Sequence, residues 1–492
     1  MRKTGVLALL TSATVSLALA GCASTANIPG PTAPITPQEA QQGAEAHPQL
    51  LAEFGGAMSG PYAAYVQEVG QNIAVQSGLA NARTDFTVSL VNSSVNNAFA
   101  IPGGYVYTTR QLVTLMDNEA ELAAVLGHEV GHVAARHAAR RQARSQRNTI
   151  LGTAGAILSG VLLGNNPLGE TLSRGFLQGS QLLTLSYSRD QEEEADVLGI
   201  RYLTQAGYDP KAMGYVLRSL AEQNQLDARL QGRQDASLPE WASTHPNPAG
   251  RVRDALAAAE GLPGNVTNRD TFLTRIDGIT YGDDPEQGII EGRTFIHPDL
   301  RLAFTIPQGF YMVNGTRAVS INGQSGQAQF SLAPYNGDLS RYVQQVFASV
   351  GGQQQQQLAP QSIQRTTVNG IPAAYGTARV NSNSGAVDVI VFAYEFANDR
   401  AYHFTAVSAA GRSDVYGPMF NSFQRISAQQ AANVVPRVID IVTVGRGDTV
   451  ASLSRRMAYD NGQEARFRVL NSLGPDEGLQ AGQRVKLVVR GR

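Results

Sequence analysis

The sequence predicts a multidomain chain: a mainly helical domain carrying a small β-hairpin, then an α+β sandwich-like domain, then a small βααβ unit. Three observations predict it. With 492 residues, 42% of them hydrophobic, the chain is too long for one core and apolar enough for several. Apolar residues recur with a helical period from about 50 to 262, and the texture changes after about 265. There, the β-branched and aromatic run from Val387 to Phe396, the turn Asn398-Asp399 and the run from Tyr402 to Ala406 spell a hairpin, with a helix predicted from Ser340 to Val350.

Taken in order, Arg2 and Lys3 precede an apolar run from Val6 to Ala20 that ends in Leu19-Ala20-Gly21-Cys22. The run reads as a targeting segment, and its ending resembles a bacterial lipobox. Residues 1–21 are then a lipoprotein signal peptide, and acylation of Cys22 hangs the mature chain from a membrane by lipid. Cys22 is the only cysteine, which excludes a disulfide within the chain. Ala23 and Ser24 follow it without an Asp, which favours the outer membrane facing the periplasm. Residues 22–49, rich in Pro, Ala, Gln and Thr, read as a flexible tether. A net charge of −1 gives no electrostatic reason to expect nucleic acid.

The domain from 50 to 262 carries His128-Glu129-Val130-Gly131-His132. On a helix, positions i and i+4 are neighbours, so both imidazoles can meet one zinc ion while Glu129 handles a proton. Asn118 and Glu121 form a capping box that opens this helix. His137 lies five residues beyond His132, about 140° further round a continuing helix, and so reads as a packing or surface histidine. The arginines at 136, 140, 141, 144 and 147 make a solvated helix end. A catalytic zinc needs a third protein ligand from another segment. Ser188-Arg189-Asp190-Gln191-Glu192-Glu193-Glu194-Ala195-Asp196 offers three consecutive carboxylates, of which a helix can aim one at a given spot. Glu192 is the best placed, because Asp196 one turn later can hydrogen-bond the distal nitrogen of a ligating His; a solvated acidic face is the alternative. Asn97-Ala98-Phe99-Ala100-Ile101-Pro102-Gly103-Gly104-Tyr105 reads as a strand, a turn and a second strand. Its edge, Asn97 to Ala100, can bind an extended peptide by β-addition, or be a structural hairpin.

Together, HEVGH, SRDQEEEAD and NAFAIPGGY resemble the HtpX and CAAX-prenyl-protease family of zinc metallopeptidases, especially its periplasmic BepA-like branch, over roughly residues 50–260. The resemblance implies a zincin-type (gluzincin) fold, one zinc held by His128, His132 and Glu192, and Glu129 as general base. It also draws attention to the segment from Trp241 to Arg251, where an S-x-H-P sequence is followed by an Arg. His245 would enter the fourth zinc position and hold the enzyme latent, and Arg251 would steady the oxyanion. The apolar, glycine-broken stretch 150–164 is too short to span a bilayer and reads as a buried or lid-like helix.

Residues 263–430 form the α+β domain, without assignable chemistry. The tail, 438–490, has the order strand, helix, helix, strand: Val442 to Val444, Val450 to Tyr459, Ala465 to Leu470 and Arg484 to Val489. Gly447-Asp448-Thr449, Leu470-Asn471-Ser472-Leu473 and Leu479-Gln480-Ala481-Gly482-Gln483 resemble a LysM module, which implies binding to peptidoglycan; a LysM-derived fold without sugar binding is the alternative. The helical repeats of BepA-like proteins are absent from this end. Two functions are thus expected: an envelope metalloendopeptidase acting on misfolded or stalled periplasmic and outer-membrane proteins, or a chaperone-like or peptidoglycan-anchored assembly factor with latent proteolysis. A murein hydrolase, suggested by the tail alone, is disfavoured by the peptidase motif.

Overall fold

The computed structural model describes residues 33–141, 187–232, 245, 248–350, 358–382 and 385–491. The lipobox, with Cys22, and the apolar stretch 150–164 lie outside the described residues. No helix among them is long and apolar enough to cross a membrane.

The first body begins with helix α1 (Pro37–Glu53). Thr36 and Glu39 close its N-terminus reciprocally: Thr36 Oγ1 accepts the Glu39 N–H at 3.2 Å, and the Glu39 carboxylate accepts the Thr36 N–H at 2.8 Å. The expected tether is therefore ordered from residue 37, because Leu50 and Phe54 bury against Ile101 and Tyr107. Helix α2 (Pro61–Ala74) follows, then strands β1 (Thr87–Val91), β2 (Ala98–Ile101) and β3 (Tyr105–Thr109) in the sheet order β1-β3-β2. β1 and β3 are parallel, and β2 returns antiparallel along the sheet's edge, with Ala98 opposite Thr108 and Ile101 opposite Tyr105.

A short helix, α3 (Arg110–Leu115), leads into α4 (Glu119–Ala134), the helix of the histidine motif. The predicted cap is present: Asn118 Oδ1 accepts the Glu121 N–H at 3.0 Å. Glu121 reaches back one residue further than expected, accepting the Asp117 N–H at 2.9 Å. Almost all of α4 is buried, lying between α2, the hairpin and two later helices, α5 (Arg189–Ala206) and α6 (Ala212–Leu230). Its crossing with α5 sets the site. A Cβ at Gly131 would sit 3.0 Å from the Ala195 carbonyl oxygen, and one at Gly199 would sit 3.1 Å from the His128 nitrogen. The two backbones are nearly in contact there, and a larger residue at either glycine would drive the helices apart. Helix α7 (Pro248–Ala259) packs on α6 and completes the frame.

The expected boundary at 263 moves. Helix α8 (Arg269–Ile276) buries Phe272, Leu273 and Ile276 in the same core as α2 and α4, and β4 (Thr280–Tyr281) pairs with the strand Arg437–Thr443 of the tail. The second body therefore starts after this segment. It is a sandwich of a four-stranded sheet on a seven-stranded antiparallel one, with the helix Leu339–Val350 on the outer face of the larger sheet. The hairpin Gly385–Ala397 with Arg400–Ala409 is where the sequence places it.

The tail has the strand, helix, helix, strand order, Arg437–Thr443, Val450–Ser454, Gln463–Leu470 and Arg484–Arg490, and shares the hydrophobic core of the helical body. A buried cation joins these apolar contacts. Lys486, fully buried, donates to the carbonyls of Thr114 (3.2 Å), Leu115 (3.2 Å) and Met116 (2.7 Å) and lies 3.1 Å from Asp117 Oδ1. These are the orphan acceptors at the end of α3, immediately before the cap of α4. Lys486→Met leaves them and the Asp117 carboxylate without a cation, and is expected to lower the unfolding free energy by about 3–5 kcal/mol in denaturant titrations. A variant as stable as wild type would show that the tail is held by apolar contact alone.

Candidate metal centre

Four buried side chains converge under the crossing of α4 and α5: His128 and His132 from α4, Glu192 from α5, and His245 from the segment preceding α7. One donor atom from each lies within 4.8 Å of the other three. The edges of this polyhedron are short. His128 Nε2 is 3.0 Å from His132 Nε2 and 3.3 Å from His245 Nδ1, and the Glu192 carboxylate is 3.2 Å from His245 Nδ1, 3.5 Å from His132 Nε2 and 3.6 Å from His128 Nε2. A tetrahedral ion with ligands at about 2.0–2.2 Å has edges of about 3.3–3.6 Å, so the donor set fits one such ion. Of the three consecutive glutamates, Glu192 is the one turned inward; Glu193 is exposed, and Glu194 goes elsewhere.

The surrounding groups orient these donors. Asp196, one turn beyond Glu192, lies 2.9 Å from His128 Nδ1, which turns His128 Nε2 towards the cluster. Arg251 from α7 is buried and grips Asp196 with both arms, Nε to Oδ2 at 2.7 Å and Nη2 to Oδ1 at 2.6 Å, while Nη1 donates to Glu192 Oε2. This differs from the expected contact with an oxyanion: these N–H groups are committed to two carboxylates of the site. His137 is also placed differently from expectation. It is fully buried, with Nδ1 2.8 Å from His132 Nδ1, because the helix stops at Ala134. Arg136, expected on a solvated end, is buried as well. The Tyr187 ring, which no motif singles out, stacks on His132 at 3.8 Å between centroids and 19° between planes.

Electrostatics follow burial and charge. Burial raises the Glu192 carboxyl, but the charge of His245, hydrogen bonds from His128 and His245, and Arg251 outweigh it and hold the group well below the usual carboxylate range. Asp196 is likewise held down against burial, chiefly by Arg251 and His128. Burial lowers His128, yet Asp196 and Glu192 more than offset this and push it up to about 9. The pocket favours positive charge at its centre, which a divalent cation supplies in place of that proton. Glu129 differs: burial raises it, and its Oε1, 3.4 Å from His245 Nε2, accepts no hydrogen bond among the described residues. A buried carboxylate oxygen of that kind can take a proton from a group brought beside the cluster.

Along the hairpin, β2 is an edge strand packed beside α4, with Asn97 and Ala98 buried and Phe99 stacked on Tyr107 at 4.5 Å. The Asn97 carbonyl accepts the Thr109 N–H at 3.0 Å, fixing the strand's register.

Comparison with known proteins agrees with this geometry. Residues 62–259 match the family model described as peptidase family M48. The chain is 37% identical over 227 residues to a beta-barrel assembly-enhancing protease of Yersinia pestis, 45% of this chain and 44% of that protein. It is 33% identical over 214 residues to the protein of the same description in Escherichia coli K12, 43% and 42% of the two chains. It is also 31% identical over 239 residues to the mitochondrial metalloendopeptidase OMA1 of Schizosaccharomyces pombe, 47% and 64% of the two chains. The chain thus spans less than half the length of the bacterial relatives.

The Arg251 fork gives a direct test. Arg251→Gln removes the cation from beside two buried carboxylates, and in metal-stripped protein it is expected to cost about 3–5 kcal/mol of stability. Unchanged thermal unfolding would show that the guanidinium does not neutralise Asp196 and Glu192.

Proposed function

We propose that this chain is a zinc-dependent metalloendopeptidase of the bacterial cell envelope that hydrolyses peptide bonds of misfolded or stalled periplasmic and outer-membrane proteins. The observation that carries the reading is the cluster of His128, His132 and Glu192 with the Glu129 carboxylate beside it. His128, His132 and Glu192 hold the ion, and Asp196 fixes the tautomer of His128. Zinc, when bound, supplies Lewis acidity at the scissile carbonyl and lowers the pKa of water to about 7. Glu129 Oε1 takes the proton of the attacking water and later delivers it to the nitrogen of the leaving amine. The backbone of Asn97 to Ala100 receives the substrate as an added strand, which gives affinity with loose sequence demands.

His245 regulates this chemistry. Its Nδ1 lies 3.3 Å from His128 Nε2 and 3.2 Å from Glu192, where it would complete a four-donor set around a bound ion and close the site to water. In this reading a chain with His245 in place is latent, and activity requires His245 to withdraw. Cys22 supplies the lipid anchor, with the outer membrane facing the periplasm as its site. The relatives described as beta-barrel assembly-enhancing proteases support outer-membrane proteins as the substrate class. The LysM-like tail would hold the enzyme at peptidoglycan; its loops at 445–447 and 475–478 are exposed. The second reading, a chaperone-like factor, draws on the closed donor set.

Casein digestion separates the two. Glu129→Gln is expected to retain zinc and lose about 10²–10⁴-fold in turnover, while His245→Ala raises basal turnover. Wild-type complementation of an envelope defect by Glu129→Gln would favour the chaperone reading.

A further inference from the structure

We propose that His137 is a positioning residue for the metal centre: with Glu194, it forces His132 into the tautomer that can bind a metal ion. The inference rests on the metallopeptidase reading above and extends it to residues that reading does not use.

The geometry starts with a reversal of the chain. After α4 ends at Ala134, Arg136 adopts φ 51°, a left-handed conformation that costs a non-glycine residue roughly 1–2 kcal/mol. Its buried side chain offsets this. Nη1 donates to the Ala134 carbonyl (3.0 Å), Nη2 to the carbonyls of Ala33 (2.9 Å) and Pro34 (3.1 Å), and Nε to Glu39 Oε1 (3.2 Å). The reversal turns His137 back onto the helix, beneath His132. There the ring is fixed at both nitrogens: Nδ1 faces His132 Nδ1 at 2.8 Å, and Nε2 faces Glu194 Oε2 at 3.2 Å. Glu194 is in turn held by Arg140 Nη1 at 2.8 Å, and the Gln191 amide donates to the His137 carbonyl at 3.2 Å.

Hydrogen-bond chemistry then leaves one consistent assignment. A carboxylate only accepts, so the proton of neutral His137 sits on Nε2, towards Glu194. His137 Nδ1 is therefore bare and must accept. Only one hydrogen fits between the two facing Nδ1 atoms, so His132 carries its proton on Nδ1 and presents a bare Nε2 to His128, Glu192 and His245. The acceptor-only character of Glu194 is thus relayed through two rings to the cluster. Asp196 does the same for His128 in one step, so the two histidines of the motif are oriented by separate acidic residues of α5.

The test is zinc affinity of the full-length protein by competition with a chromophoric chelator, compared among wild type, His137→Ala, His137→Gln, Glu194→Ala and His132→Ala. Removing a group that orients a ligand costs about 10–100-fold in metal affinity, the loss expected for His137→Ala. His137→Gln should recover part of it, because a carboxamide oxygen accepts the His132 Nδ1–H; a merely structural role predicts no such recovery. Should His137→Ala fail to fold, Glu194→Ala carries the test with a smaller loss. Wild-type affinity in His137→Ala, or in Glu194→Ala where the first variant cannot be prepared, overturns the proposal while leaving the metal centre intact. Absence of stoichiometric zinc in wild type, or wild-type affinity in His132→Ala, overturns the underlying metallopeptidase reading along with it.

Discussion

The near-contact of the α4 and α5 backbones is the constraint from which the site follows. Gly131 and Gly199 leave room for Ala195 and His128 to approach, and a side chain at either position would meet backbone atoms at 3.0–3.1 Å. That approach sets Glu192 against two imidazoles one helical turn apart, and Asp196 against the far side of one of them. The rest of the first body braces the crossing: α2 and the hairpin from one side, α6 and α7 from the other, and Lys486 of the tail at the start of α4. Burial in such a frame makes each polar contact costly to lose, since no water replaces a missing partner.

Charge gives a second, independent constraint. Glu129, Glu192 and Asp196 bring three carboxyl groups into one buried pocket, and Arg251 is the cation directly bonded to two of them. Among the described residues, with all three ionised and the imidazoles neutral, a deficit of two positive charges remains, the charge of one divalent ion. The rise in His128 towards about 9, driven by Asp196 and Glu192 against its burial, expresses the same deficit. The functional reading needs both constraints, because the distances define where an ion fits and the charges define which sign and magnitude the pocket accepts.

Much of this was legible in the residues. The i and i+4 histidines and the Asn118 cap follow from helical geometry, the choice of Glu192 among three glutamates from its spacing to Asp196 together with the family resemblance, and the alternation in 387–409 from strand geometry. Other features depend on tertiary choices that local patterns do not encode. The 140° argument that set His137 aside assumes a continuing helix, and the helix ends because a buried arginine stabilises a left-handed residue, which no glycine announces. The ordering of 37–49 depends on a groove supplied by the hairpin, and the placement of α8 in the first body depends on the tail. Arg251 was found through family resemblance, but its partners became visible only once α5 and α7 were side by side.

The distances and charges of this cluster suit one divalent metal ion. X-ray absorption at the zinc edge of the purified full-length protein, with metal content measured on the same sample, tests it most directly. One zinc per chain is expected, with a four-ligand shell of imidazole nitrogen and carboxylate oxygen at about 2.0–2.2 Å. Protein that is folded yet carries no stoichiometric metal, or a zinc shell without imidazole scattering, would contradict it.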